Sequence, residues 1–97
     1  MSEIAAKVLH LTLKKKWFDM IASGEKREEY REIKTHWNRI LNKEYDVVKF
    51  RNGYAKDSPV IIVELKRIFK GYGFTEWGAP EKQKVYILEL GKQLKSE

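Results

Sequence analysis

Apolar and polar residues alternate at the start of the chain and then recur with a longer period. Residues 8–13 read VLHLTL, with an apolar leucine at every second position, which is the pattern of a half-buried β-strand. Residues 14–23 read KKKWFDMIAS, with apolar side chains at helical offsets, and Gly24 follows them. A glycine in that place is typical of a helix C-terminus. The pattern therefore predicts a strand over 8–13 and an amphipathic helix over 14–23 that ends at Gly24.

A run of charged residues comes directly after this helix, and residues 25–32 read EKREEYRE. The run has no apolar stripe at helical spacing and follows a helix-ending glycine, so we predict a strand over 27–32. Strand geometry divides it into two faces, with Arg27, Glu29 and Arg31 on one and Glu28, Tyr30 and Glu32 on the other. Two interpretations stay open. The run is either a solvated strand edge whose charges oppose aggregation or a binding site.

The rest of the chain divides into one more helix and three more strands. Apolar positions predict a helix over 33–42 and strands over 47–51, 60–69 and 84–90, with a glycine-broken loop over 71–80. The order β-α-β-α-β-β-β predicts an α+β fold. A small curved sheet or partial barrel, with helices packed against one opening, would use these elements economically.

The connection between the third and fourth strands is a further candidate for contact with a ligand. The pair Asn52 and Gly53 favours a tight turn with positive φ. The return strand begins only near Pro59, so the connection is longer than that turn alone. We therefore predict a loop that presents Arg51, Asn52 and Tyr54.

Length and composition limit the domain count and the chemistry. The 97 residues make one domain, 1–97, with frayed polar ends at 1–6 and 92–97. The chain has no cysteine and only two histidines, which excludes a thiolate nucleophile and a Cys/His zinc site, and we predict neither a metal nor another cofactor. The start of the chain lacks the apolar core of a secretory signal, and no stretch is apolar for long enough to span a bilayer. We expect a cytoplasmic protein without a membrane partner, and the oligomeric state stays open.

The formal net charge of +6 is spread along the chain. A basic surface favours polyanionic partners, nucleic acid above all. An excess of lysine also serves solubility alone. Charge by itself therefore leaves nucleic-acid binding as one of two interpretations.

The charged run resembles the signature of the ASCH domain (activating-signal-cointegrator homology), G-x-K-x-x-E-x-R after a first strand and helix. Gly24, Lys26, Glu29 and Arg31 fit its four fixed positions. The resemblance extends to the leucines of the first strand, to FRNGY at 50–54 and to the last strand. It implies a PUA-like, small mixed β-barrel with two helices flanking a cleft that contains the signature. It also implies binding of RNA or a nucleotide.

Some members of this family are enzymes, among them a small amidohydrolase that acts on acetylated cytidine and others reported to cut RNA. In the amidohydrolase the signature lysine works with a threonine three residues later and with a distant glutamate. Lys26 matches the lysine, but Glu29 replaces the threonine, and either Glu76 or Glu81 would be the distant acid. A hydrolase acting on RNA or a modified nucleoside is therefore the alternative function, with Lys26 and Glu29 as the catalytic residues.

The predicted ligand-binding residues are Gly24, Lys26, Glu29, Arg31, Arg51, Asn52 and Tyr54. A carboxylate between two cations stays charged, and the planar guanidinium of Arg31 suits a phosphate or a base edge. Tyr54, Trp37 or Trp77 would stack on an unpaired base. The alternative is a structural role for both tryptophans, with Trp37 in the core and Trp77 filling the end of the barrel. We also expect Glu29 to raise the pKa of Lys26 and to keep the amine charged.

Overall fold

The fold is seen in a computed structural model that describes residues 6–96. Its elements are β1 (Val8–Leu13), α1 (Lys15–Ala22), β2 (Glu28–Arg31), α2 (Thr35–Leu41), β3 (Val47–Asn52), β4 (Val60–Gly71), a 3-10 helix (Thr75–Trp77) and β5 (Val85–Ser96). The predicted order of five strands and two helices is confirmed. The 3-10 helix lies within the segment predicted as a glycine-broken loop.

The five strands form one mixed sheet in the spatial order β1-β3-β4-β5-β2. β1 runs parallel to β3, and the other neighbours are antiparallel. The sheet curls into a half-barrel, with β1 and β2 as its edges and the helices completing the α+β fold. α1 follows β1 and precedes β2 in the sequence, so it connects the two edge strands of the sheet.

The core is built from the alternating residues of the strands. Leu9, Leu11 and Leu13 are at most 5% exposed, which confirms the period-2 prediction for β1. Both helices add apolar side chains to the same core, Phe18 and Ile21 from α1 and Leu41 from α2. Removal of these side chains from water is the main stabilising contribution to the fold.

The segment between β4 and β5 packs against β2 and α1. The Tyr30 hydroxyl accepts a hydrogen bond from the amide of Phe74 at 3.0 Å. Gly78, at φ +100°, lies against the Trp17 ring, where an added Cβ would come 3.0 Å from a ring carbon. Only glycine tolerates both that backbone angle and that approach. This segment therefore contacts one residue of the charged run, Tyr30, and one residue of the helix before it, Trp17.

The polar C-terminal residues belong to the sheet, which corrects part of the prediction that 92–97 are frayed. β5 continues to Ser96, which pairs with Ile61 of β4. Glu64 Oε1 also accepts a hydrogen bond from the Lys92 amide at a break in the register. Backbone pairing requires no apolar side chains. The polar composition of the last residues therefore led to a predicted strand end at residue 90, which is too early. The frayed ends predicted for 1–5 and 97 lie outside the described residues.

No helix in residues 6–96 is long and apolar enough to cross a membrane.

Candidate functional site

The chain reverses sharply after α1 and turns Lys26 inward. Gly24, at φ +87°, follows Ser23, the C-cap residue of that helix. The Lys26 amide then donates to the Met20 carbonyl at 2.9 Å. Lys26 is 2% exposed as a result, although it lies in a run of charged residues. Glycine at position 24 thus determines where the buried lysine enters the fold.

The Lys26 ammonium has an acceptor for each of its three hydrogens. Nζ lies 2.6 Å from the Glu28 carbonyl oxygen, 2.6 Å from the Trp77 carbonyl oxygen and 3.3 Å from Glu29 Oε1. The rings of Tyr30 and Trp17 lie 4.7 and 5.4 Å away, within cation–π distance. These contacts compensate for removing the charge from water.

Glu29 lies between the two cations, as the sequence predicted. Its Oε1 faces Lys26, while its Oε2 accepts hydrogen bonds from Arg31 Nε at 3.1 Å and from Arg31 Nη2 at 2.7 Å. The Glu29 side chain is 8% exposed. We call Lys26, Glu29 and Arg31 together the charged cluster.

Arg31 joins the two edges of the half-barrel. It projects from β2, and its Nη2 also donates to the Thr12 carbonyl of β1 at 3.3 Å. Its guanidinium carbon lies 4.9 Å from the centre of the Trp37 ring. Among residues 6–96, Nη1 has no acceptor, and the side chain is 18% exposed against 1% for Lys26. Arg31 is therefore the member of the cluster that a ligand reaches first.

Burial lowers the pKa of Lys26, and the attraction of Glu29 opposes that shift without cancelling it. Glu29 therefore raises the pKa of Lys26 as expected, but burial has the larger effect and the net pKa is lowered. Loss of water around the amine outweighs one favourable charge, because desolvation penalises the charged form directly. The geometry with three acceptors nevertheless fits an ammonium group, since a neutral amine has only two hydrogens.

Arg51 and Asn52 lie one strand away from the charged cluster. They pair with Thr12 and Leu13 in the β1–β3 register, so they are near the carbonyl that Arg31 contacts. Arg51 Nη2 donates to the carbonyl oxygens of the following loop, at Ala55 and Lys56. Gly53 has φ +79°, as the turn prediction required. In the described part of the chain, neither Arg51 nor Asn52 bonds to the cluster through its side chain.

The predicted aromatic residues have three different environments. Tyr54 is 88% exposed in the loop after β3. Trp37 packs partly against the core, as expected, and also contacts the Arg31 guanidinium. Trp77 lies in the 3-10 helix, with its ring 4.9 Å from the Phe74 ring and its carbonyl bonded to Lys26. These contacts place Trp77 between Phe74 and Lys26.

Neither candidate for the distant acid contacts the charged cluster in residues 6–96. Glu76 and Glu81 are both exposed. A backbone oxygen, that of Trp77, occupies the third acceptor position around Lys26. Sequence reasoning also missed the contributions of Thr12 and Trp17, because a carbonyl contact and a ring approach across the fold leave no signal in residue spacing.

The interpretation of the run as a solvated strand edge applies to some of its residues only. Glu25, Arg27 and Glu32 are exposed, whereas Lys26 and Glu29 are buried. Lys26 also lines a hollow of about 150 Å³ beside Gly24. A larger cleft of about 520 Å³ between 41–46 and 65–68 includes no residue of the cluster. The buried charges, and not the cavity size, single out this part of the molecule.

Comparisons of the chain with protein families, with curated proteins and with solved structures found no match.

Proposed function

We propose that the protein binds RNA or a nucleotide at the surface around Arg31. The observation that carries this proposal is the fixed position of the Arg31 guanidinium. One edge is held by Glu29 and the Thr12 carbonyl, one face lies over Trp37, and Nη1 has no acceptor among the described residues. A guanidinium held in this way presents donors suited to a phosphate or a base edge.

Preorganisation is what the buried part of the cluster contributes. A free arginine side chain loses rotamer freedom when it binds a ligand, whereas Arg31 is already restrained by Glu29. Lys26 in turn balances the charge of Glu29, and Gly24 sets the turn that brings Lys26 inward. In this proposal Gly24, Lys26 and Glu29 act as positioning residues, and Arg31 touches the ligand.

The loop after β3 extends the proposed surface. Arg51 and Asn52 lie beside Thr12 in the register, so they are the nearest side chains of β3 to a ligand on Arg31. Tyr54 is exposed enough to stack on an unpaired base. A single-stranded segment that contacts Arg31 would therefore continue toward Tyr54.

We also propose that the chain is an ASCH-like member of the PUA-like superfamily. Three observations support this assignment: the G-x-K-x-x-E-x-R signature over 24–31, the order of elements, and a curled mixed sheet whose open side lies beside that signature.

The binding proposal is tested by fluorescence anisotropy with a labelled single-stranded RNA about eight nucleotides long. Arg31→Ala should weaken binding roughly 10- to 100-fold, which is the loss expected when a charged hydrogen-bonding group is removed from a ligand. Arg39→Ala is the matched control, because Arg39 is an exposed arginine on α2. Equal affinities for the two variants would refute the proposed role of Arg31.

Hydrolysis of RNA or a modified nucleoside is the second candidate function, and the buried pair of Lys26 and Glu29 supports it. A buried lysine with a lowered pKa beside a carboxylate is a feature of many active sites. Glu29 would act as the general base, and Lys26 or Arg31 would stabilise the charge of the transition state.

A turnover assay distinguishes binding alone from hydrolysis. Purified protein is incubated with short RNA and, separately, with acetylated cytidine, and the products are followed by chromatography. Hydrolysis that is lost in Glu29→Gln, while the far-UV circular dichroism spectrum is unchanged, would establish the enzyme. Hydrolysis that survives Glu29→Gln would remove Glu29 from the mechanism.

A further inference from the structure

A second cavity, of about 280 Å³, lies away from Arg31, and we call it the Phe74 cavity. Its walls include Arg27, Glu28, Lys66, Phe74 and Trp77. With Glu89, which also lines it, the cavity combines two cations, two carboxylates and two aromatic rings. The charged cluster contributes no side chain to it.

Phe74 is an exposed aromatic residue on a well-fixed backbone. The residue is 51% exposed. Its amide donates to the Tyr30 hydroxyl, and its carbonyl oxygen accepts from the amides of Trp77 and Ala79 at 3.0 and 3.1 Å. The Phe74 ring also meets the Trp77 ring edge-on at 4.9 Å. A rigid, half-exposed ring offers a flat surface for stacking at little loss of conformational entropy.

The charges around the cavity are only partly paired. Glu89, which also lines it, is bonded to Arg67 at 2.6 Å. Glu28 Oε1 accepts from the Tyr30 hydroxyl at 2.8 Å, and Oε2 has no donor within residues 6–96. Arg27 and Lys66 form no ion pair within that same range. The cavity therefore offers a ligand two cations and the Oε2 atom of Glu28, whereas the charge of Glu89 is already balanced by Arg67.

We infer that the Phe74 cavity binds an unpaired nucleobase that carries an exocyclic amino group, an inference that rests on the proposed binding of RNA or a nucleotide. The base stacks on Phe74, Glu28 Oε2 accepts from its amino group, and Arg27 and Lys66 face its phosphate. Cytosine has a donor at N4, whereas uracil has an oxygen acceptor at the same position. The carboxylate therefore favours cytosine over uracil.

One RNA strand can reach both sites. Arg27 and Arg31 are four residues apart on an extended chain, about 13 Å at roughly 3.3 Å per residue. A segment of a few nucleotides would thus place one group on Arg31 and a base on Phe74.

The test compares the affinities of tetracytidylate and tetrauridylate for the full chain, together with the shift of the Phe74 backbone amide in NMR spectra. We expect tetracytidylate to bind at least fivefold more tightly. Glu28→Gln should reduce this ratio to one or below, because the amide keeps an acceptor for Tyr30 and places toward the base a donor that suits the oxygen of uracil. Phe74→Ala should weaken tetracytidylate roughly tenfold, as expected for one lost stacking contact.

Two variants make the result specific to the ring. Tyr72→Ala removes another exposed aromatic side chain of the same segment, which does not line the cavity, and should leave the affinity unchanged. Phe74→Tyr keeps the stacking surface and should retain binding.

The possible failures are distinguishable. RNA that shifts the amides around Arg31 but not Phe74, with Phe74→Ala behaving like Tyr72→Ala, would overturn the nucleobase site and leave the proposed function intact. Equal affinity for the two tetranucleotides would overturn the role of Glu28. Absence of any RNA or nucleotide binding would overturn the proposed function and this inference together.

Discussion

Lys26 Nζ lies 2.6 Å from the carbonyl oxygen of Trp77, a residue 51 positions later in the chain. The same Nζ faces Glu29 in the charged cluster, and the Trp77 residue also lines the Phe74 cavity. One buried ammonium group therefore links the two proposed parts of the ligand surface. This arrangement leads to predictions about stability as well as binding.

Lys26→Met should destabilise the fold strongly, because it leaves the buried Glu29 with one cation instead of two and the Trp77 carbonyl without its donor. We expect a loss of about 3 kcal/mol in the free energy of unfolding, measured with urea. Lys15→Met is the control. It removes an exposed ion pair with Asp19 and should change the free energy of unfolding by less than about 1 kcal/mol. Equal losses in the two variants would show that Lys26 has no special structural role.

Gly73→Ala should displace the segment that carries Phe74. An added Cβ at this position would lie 2.3 Å from Tyr30 Cε1, too close for the ring to remain in place. Overpacking of this kind costs about 1–3 kcal/mol. Gly71→Ala is the milder comparison, since its Cβ would lie 3.3 Å from the terminal methyl of Ile87, a full ångström farther than the contact at Gly73. The free energies of unfolding of the two variants are measured from denaturation curves. A larger loss in Gly71→Ala than in Gly73→Ala would contradict this packing.

Alkaline solution should destabilise the protein partly through Tyr30. Burial raises the pKa of Tyr30 above the ordinary value of 10.0. The folded state therefore holds the phenolic proton more tightly than the unfolded chain does. This contribution to stability is complete below pH 10 and is lost as the pH rises toward the raised pKa.

The measurement is the free energy of unfolding of wild type and Tyr30→Phe between pH 8 and 11. The difference in free energy of unfolding between wild type and Tyr30→Phe should become smaller above pH 10. The wild type loses the contribution of Tyr30 there, whereas the variant has no phenolic proton to lose. Tyr54→Phe, which removes an exposed hydroxyl group, should follow the wild-type pH dependence. A difference that does not change with pH would contradict the partly buried position of Tyr30.

The affinity for single-stranded RNA should fall as salt concentration rises. Each phosphate neutralised by the protein contributes about −0.7 to the slope of log affinity against log salt. If Arg31 contacts one phosphate, Arg31→Ala should make the slope shallower by that amount, whereas a base-edge contact would leave the slope unchanged and lower the affinity alone. Anisotropy titrations from about 50 to 200 mM salt measure both quantities. If Arg31→Ala had the same affinity and the same salt slope as the wild type, contact of Arg31 with RNA would be excluded.

Local periodicity was enough to predict the order of elements. The leucines of β1 alternate and are buried as a set, and the apolar residues of α1 recur at helical spacing and meet the core. Alternation also predicted that Glu29 and Arg31 share a face, and they are bonded. These features depend on neighbours within a few residues, which is the range that a sequence pattern describes.

The burial of Lys26 could not be predicted in the same way. Its immediate neighbours are charged, so the local pattern indicates a surface. The covering groups come from Trp17 in α1 and from Trp77, which arrive only when the chain is folded. The extension of β5 to Ser96 likewise depends on its pairing with β4 and not on its own composition.

The most direct test of the central claim is an NMR titration of isotopically labelled protein with a short single-stranded RNA, read residue by residue. The proposed binding surface predicts shifts at the amides of 24–31 and 51–54, at the Arg31 side-chain Nε–H and at the Trp37 indole. The amide shifts should be lost or sharply reduced in Arg31→Ala. Shifts scattered over exposed lysines such as Lys15, or no shifts at saturating RNA, would contradict binding at the charged cluster.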